Sequence, residues 1–118
     1  MKISQRAYEV EKRWGKEVWF ANNEEKDYCG KVLYINPGER LSLQYHEKKE
    51  ETIYVLRGTL HVYDENDKII KVNPGGRFHV EPGQIHRFGA THSSVELVEV
   101  STNYLDDVVR LEDDYRRE

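Results

Sequence analysis

Turn-forming residues recur along this chain at intervals that leave little room for long helices. Gly15, Asn22-Asn23, Asn36-Pro37-Gly38, Gly58, the stretch 64–67, Asn73-Pro74-Gly75-Gly76, Pro82-Gly83 and Gly89 all punctuate it. Gly supplies positive φ and Pro cannot donate to a ladder, so such clusters close strands and turn the chain. Between the corners lie short runs at 17–21, 31–35, 41–46, 52–56, 59–63, 69–72, 78–80 and 95–101, and Val and Tyr are frequent in the chain. Such runs read as strands, and many short strands with Gly/Pro corners predict an all-β sandwich or small barrel. No helical period recurs between them, which excludes a bundle or a Rossmann domain. Only the ends carry a helical pattern. Residues 4–13 and 105–115 are expected as short terminal helices, the second with Val108, Val109 and Leu111 as its apolar stripe.

The 118 residues fit one domain spanning 1–118. Charged residues make up 34%, which raises the question of disorder. Leu, Ile, Val and Phe together still contribute about a quarter of the chain, above the roughly 20% at which folding fails. A net charge of -4 argues against a nucleic-acid binder, because phosphate contacts need clustered Lys and Arg. No apolar run approaches the ~20 residues of a membrane span, and a signal-peptide core is absent. Cys29 is the single cysteine and has no partner for an internal disulfide, so the expected compartment is the cytoplasm. A core this modest gains from burial against a second copy, and a homodimer is expected.

The chemistry concentrates in the run Asn36 to His46. Side chains alternate along a strand, so Ser42, Gln44 and His46 share one face while Leu41, Leu43 and Tyr45 share the other. Glu51 opens the next apolar run, and antiparallel pairing through the intervening turn returns it beside His46. His86 follows the Pro82-Gly83 corner. A carbonyl oxygen, two imidazoles and a carboxylate make a first shell for a divalent cation. His61, His79 and His92 have no partner at ligand spacing, and the run Glu47-Lys48-Lys49-Glu50 reads as a solvated turn.

The spacing of these residues resembles the cupins. Their first motif, G-x5-H-x-H-x3-4-E-x6-G, is met by Gly38, Gln44, His46, Glu51 and Gly58, with Gln44 in place of the first His. Their second, G-x5-P-x-G-x2-H-x3-N, is met by Gly75, Gly83 and His86, departing at Glu81 and Ala90. The resemblance implies a jelly-roll β-barrel in which the four motif residues point inward and hold one metal. It implies a divalent ion, zinc first, with manganese, cobalt, nickel or iron as alternatives.

Gln, His, Glu and His is the ligand set of mannose-6-phosphate isomerases. Arg13-Trp14-Gly15, the stretch Pro37 to Gln44, His86-Arg87 and the tail Leu111 to Tyr115 also look like the cupin domain of the type II enzymes. That similarity covers residues 13–115. There the domain is commonly joined to a mannose-1-phosphate guanylyltransferase. This sequence carries no Gly-rich nucleotide loop, so isomerisation of mannose 6-phosphate and fructose 6-phosphate is what the resemblance implies. Moving a proton between C2 and C1 needs a base, for which Glu99 and Tyr54 are candidates on inward strand faces. The substrate phosphate needs a cation, for which Lys31, Arg40 and Arg87 are candidates. Strict alternation turns Arg87 away from the face of His86 unless the strand bends there. The competing expectations are a stand-alone metal-binding cupin that holds a sugar or other small ligand without turnover, and oxygen chemistry at an iron centre. The carbonyl ligand disfavours the last, since nitrogen ligands suit iron better.

Overall fold

The computed structural model describes residues 1, 6–21, 26–104 and 106–115, and among these every regular element is a strand. In chain order they are β1 (Tyr8–Lys12), β2 (Gly15–Ala21), β3 (Tyr28–Ile35), β4 (Leu43–Tyr45), β5 (Glu51–Arg57) and β6 (Leu60–Tyr63). There follow β7 (Ile69–Val72), β8 (Arg77–Val80), β9 (Arg87–Gly89), β10 (Val95–Thr102) and β11 (Val109–Glu112). One layer is a six-stranded sheet in the order β1-β2-β3-β10-β5-β8. The other joins β7-β6-β9 to β4-β11 through the bridges Arg40↔Gly89 and Gln44↔His86. All named pairings are antiparallel. This is the all-β sandwich that the turn spacing predicts, of the jelly-roll kind that the resemblance implies, with strands connecting across both layers.

Alternation along the long strands divides the interior into two halves. On β5 Glu51, Ile53 and Val55 point inward while Tyr54 and Leu56 face out. On β10 Val95, Leu97, Glu99 and Ser101 are buried, and on β3 Lys31, Leu33 and Ile35 are. Leu97 pairs with Leu33 on one side and Val55 on the other, so one cross-strand row is wholly apolar. It packs with Leu41, Leu60, Phe88 and Ala90 of the facing layer to form the core. The next row, Lys31, Glu99 and Ile53, brings two charges inside, and Glu51 and Ser101 lie beyond it. One end of the sandwich is therefore greasy and the other polar, and the polar end holds the site.

The two terminal helices expected from the sequence are replaced by strands. The N-terminal segment doubles back through Arg13 and Trp14 so that β1 pairs with β2, and Tyr8 stacks edge-on to Trp19 at 5.7 Å. At the other end β11 pairs with β4. Adjacent β-branched residues Val108 and Val109 disfavour a helix, and a ladder partner captures them instead. Residues 4, 5 and 105 of these two segments lie outside the described residues. No helix among the described residues is long and apolar enough to cross a membrane.

Two glycines of the motifs separate conformational strain from crowding. Gly58 (φ 74°) and Gly75 (φ 88°) both occupy left-handed backbone. A Cβ at Gly58 would lie 2.2 Å from the carbonyl oxygen of Ser94, whereas one at Gly75 would meet nothing within 4 Å. Gly75→Ala is expected to cost about 1–2 kcal/mol of stability from the backbone alone. Gly58→Ala should cost roughly 1–3 kcal/mol more, because the neighbouring strand must shift. Equal losses in chemical denaturation would contradict this.

Candidate metal centre

Three buried side chains converge at the polar end. His46 follows β4, Glu51 begins β5, and His86 precedes β9. The backbones of Gln44 and His86 exchange both N–H···O bonds at 2.9 Å, which sets the two motifs side by side. Glu51 Oε1 stands 3.3 Å from His86 Nε2 and 3.8 Å from His46 Nε2. The His46 and His86 rings lie 5.4 Å apart, and all three residues are at most 4% exposed.

The hydrogen bonds of the two rings fix what their inner nitrogens offer. His46 Nδ1–H donates to the carbonyl of Asp107 at 2.5 Å, and His86 Nδ1–H to the carbonyl of Gln84 at 2.9 Å. A carbonyl can only accept, so in the neutral ring each Nε2 presents a lone pair inward. Those two nitrogens and both Glu51 oxygens are buried without a well-directed hydrogen bond. Acceptors turned on one another in a dry site repel, and a divalent cation between them would satisfy them all. His46, Glu51 and His86 fit such an ion. Gln44 lines the same cavity as His46, and its Oε1 accepts from the Ser42 hydroxyl at 2.7 Å, leaving a second lone pair.

Charged neighbours surround the cluster. Lys49, expected in a solvated turn, is only 6% exposed, with Nζ 3.4 Å from Glu51 Oε2 and 3.2 Å from Glu99 Oε2. Burial alone would lower the lysine, but Glu99 and Glu51 outweigh it and hold its pKa above the ordinary range. Burial would likewise raise Glu51, yet the Lys49 charge beside it helps to hold that carboxyl below its usual value. Glu99 goes the other way: burial, and then the Glu51 charge, push it up to about 7. Burial also lowers His46, which keeps it neutral and able to ligate.

The C-terminal segment straps this arrangement in place. The Asp107 carboxylate accepts the backbone N–H groups of Glu47, Lys48 and Lys49 at 3.0, 2.7 and 2.8 Å, while its carbonyl orients His46. Burial alone would raise this carboxyl, but the three N–H donors hold it below its usual range. Its contribution to stability is therefore present above the unfolded pKa and lost as pH falls through the folded one. Asp107→Ala keeps the carbonyl on His46 but releases the 47–49 turn that holds it in place. It is expected to weaken metal binding by up to about 10-fold, at the low end of outer-partner losses. Competition with a chromogenic chelator measures this, and unchanged affinity would contradict the strap's role.

His46 and Gln44 line a polar cavity of about 410 Å³, a size suited to a small ligand, and Glu51 and His86 lie directly behind His46. Of the residues expected there, Lys31 and Glu99 line it. Tyr54 does not. It lies between inward-facing Ile53 and Val55, and alternation turns it outward, 46% exposed. Arg87 also points away, as strict alternation after His86 requires. It is 1% exposed and donates to the carbonyl of Leu41 at 2.7 Å. Arg40 is drawn to the same tie, with Nε 2.5 Å from Asp114 and its guanidinium over the Tyr63 ring. These two arginines anchor the tail to the barrel, helped by a hydrogen bond from the Tyr115 hydroxyl to Glu39.

Other residues of the wall escape a reading of the motifs alone. Glu17 and Trp19 enter from β2, where alternation within the expected strand 17–21 was the available signal. Lys12 and Arg110 come from the two segments expected as helices. On the outer face, His79 Nε2 lies 3.2 Å from Glu50 and 3.4 Å from Glu81, a second and exposed grouping.

The family model described as Cupin domain matches residues 31–101. A mannose-1-phosphate guanylyltransferase from Sinorhizobium fredii is 34% identical over 90 residues, which are 73% of this chain and 17% of that protein. The alginate biosynthesis protein AlgA from Pseudomonas aeruginosa is 35% identical over 91 residues, 74% of this chain and 19% of that protein. The chain thus spans about a fifth of the length of these relatives. Among solved structures, a cupin-like protein from Thermotoga maritima superposes with a TM-score of 0.77 at 16% identity, covering 98% of this chain and 92% of that one. A sugar phosphate isomerase from Silicibacter pomeroyi, of the cupin superfamily, gives 0.65 at 21% identity, covering 74% and 58%. Likeness at these identities establishes the fold.

Proposed function

This chain belongs to the cupin family, and we propose that it is a metal-dependent aldose–ketose isomerase interconverting mannose 6-phosphate and fructose 6-phosphate. The observation that carries the reading is the buried His46–Glu51–His86 cluster, whose inward acceptors lack hydrogen bonds, with His46 lining a cavity that also contains the Glu99 carboxyl. The resemblance to the cupin domain of type II mannose-6-phosphate isomerases supports it. So does similarity to a protein named for guanylyl transfer to mannose 1-phosphate, and to the fold of a sugar phosphate isomerase.

Gln44, His46, Glu51 and His86 would hold a divalent ion. When bound, it supplies Lewis-acid charge beside the sugar carbonyl and the adjacent hydroxyl. From mannose 6-phosphate, Glu99 acts as the base that takes the proton from C2 and returns it to C1, while the O2 hydroxyl proton passes to O1. The reverse reaction retraces these transfers. Lys49, paired with both carboxylates, keeps Glu99 aimed into the cavity and compensates the negative charge. Trp14 and Trp19 wall off water on one side. The single buried cysteine agrees with a cytoplasmic setting.

The test is conversion of fructose 6-phosphate to mannose 6-phosphate by metal-loaded protein, with Gln44→Ala alongside. Turnover that falls with the variant's metal content is expected. No mannose 6-phosphate above the variant's background, with metal in place, would leave the chain as a binding module.

A further inference from the structure

The cations of the cavity wall divide into two groups. Lys31 Nζ is 3.4 Å from Glu17 and 4.7 Å above the Trp19 ring, and Lys49 is held by Glu51 and Glu99. Lys12 and Arg110 line the same cavity, yet neither makes an ion pair or side-chain hydrogen bond among the described residues. The acids of the wall do not match them: Glu17 and Glu99 are already engaged, and Asp106 is exposed and pairs with neither cation. Arg110 stands directly opposite Gln44 across the β11–β4 ladder, so both side chains project to the same face. Within the lining His46, Lys49 and Glu99 are buried, while Arg110 is exposed and Lys12 half-buried. The cavity is therefore cationic at its mouth and ligand-rich at its base.

We infer that Arg110, assisted by Lys12, forms an anion subsite that grips the phosphate of the sugar while its carbonyl end points toward Gln44 and His46 in the same cavity. A guanidinium meets a phosphate with two parallel N–H···O bonds, and a lysine adds a point charge. The identity of the sugar rests on the isomerase reading. The subsite itself rests on the cavity wall and on two cations without ion pairs among the described residues. It takes the place of Arg40 and Arg87, which are spent on Asp114 and the tail.

Calorimetric titration of metal-loaded protein with mannose 6-phosphate and with mannose tests this, using wild type, Arg110→Ala, Arg110→Lys and Lys12→Ala. Loss of a charged hydrogen-bond partner is expected to raise the mannose 6-phosphate Kd about 10- to 100-fold in Arg110→Ala. Arg110→Lys should recover part of the loss, Lys12→Ala should show a smaller one, and mannose binding should stay unchanged. A mannose 6-phosphate Kd unaltered in Arg110→Ala, or an equal loss for mannose, overturns the subsite. Wild-type protein that binds no sugar phosphate overturns it as well. The two readings fail separately: a phosphate-specific loss without turnover keeps the subsite and removes the isomerase, whereas turnover with an unchanged KM in Arg110→Ala does the reverse.

Discussion

Replacing His46 and His86 together with alanine is expected to abolish stoichiometric divalent metal in the purified protein. Each ring has its Nδ1–H committed to a backbone carbonyl, so each Nε2 can serve only as an acceptor facing Glu51. Without them the site keeps one carboxylate, already compensated by Lys49, and a neutral amide. That set is too weak to compete with water for a transition metal. The same loss should remove the metal's contribution to stability. A ligand bound only by the native state adds about 2.7 kcal/mol at a hundredfold excess over Kd. For a domain of this size that is a melting-temperature difference on the order of 10 °C, seen on chelation of wild type and absent in the double variant. Full metal occupancy in the variant would place the ion elsewhere.

Glu99→Gln is expected to lower kcat by about 10²- to 10⁴-fold with little change in KM, the range ascribed to a positioned proton-transfer group. The amide preserves shape and cannot accept the C2 proton. Metal content, measured on the same sample, separates this from damage to the centre, since Glu99 shares Lys49 with Glu51. Tyr54→Phe serves as the comparison. Its hydroxyl lies on the outer face, so turnover should be unchanged. Equal losses in the two variants, or a Glu99→Gln enzyme of wild-type rate, would remove Glu99 from the proton transfer.

The convergence of His46 and Glu51 was legible in the sequence because it depends on short-range rules. A period of two puts Gln44 and His46 on one face, and a short turn returns Glu51 to them. Burial of Glu99 and exposure of Tyr54 follow from the same period, but the direction of each strand face does not. Tyr54 is turned out by Ile53 and Val55, and which of the two sets faces inward is decided only when β10 pairs beside β5. Lys49 reads as part of a solvated run because its partner Glu99 is 50 residues away. Arg40 and Arg87 had plausible chemistry, yet Asp114 and the Leu41 carbonyl claim them first.

The terminal segments were the least legible. Their charges and spaced apolar residues fit a helix, and nothing local reveals that edge strands β2 and β4 await partners. Pairing with those edges satisfies a row of backbone groups that a short exposed helix could not help, and it covers the sheet edges. That outcome carries Lys12 and Arg110 into the cavity wall and Asp107 onto the His46 ring. The residues hardest to foresee are thus those supplied by the two terminal segments.

The most direct test of the metal centre is diffraction from metal-loaded crystals at the absorption edge of the bound ion. The expected result is one strong anomalous peak at about 2.0–2.2 Å from His46 Nε2, His86 Nε2 and a Glu51 oxygen, with Gln44 Oε1 beside it. A peak found instead at Glu50, His79 and Glu81 on the outer face, or none at the buried cluster in protein shown to contain metal, would contradict the account.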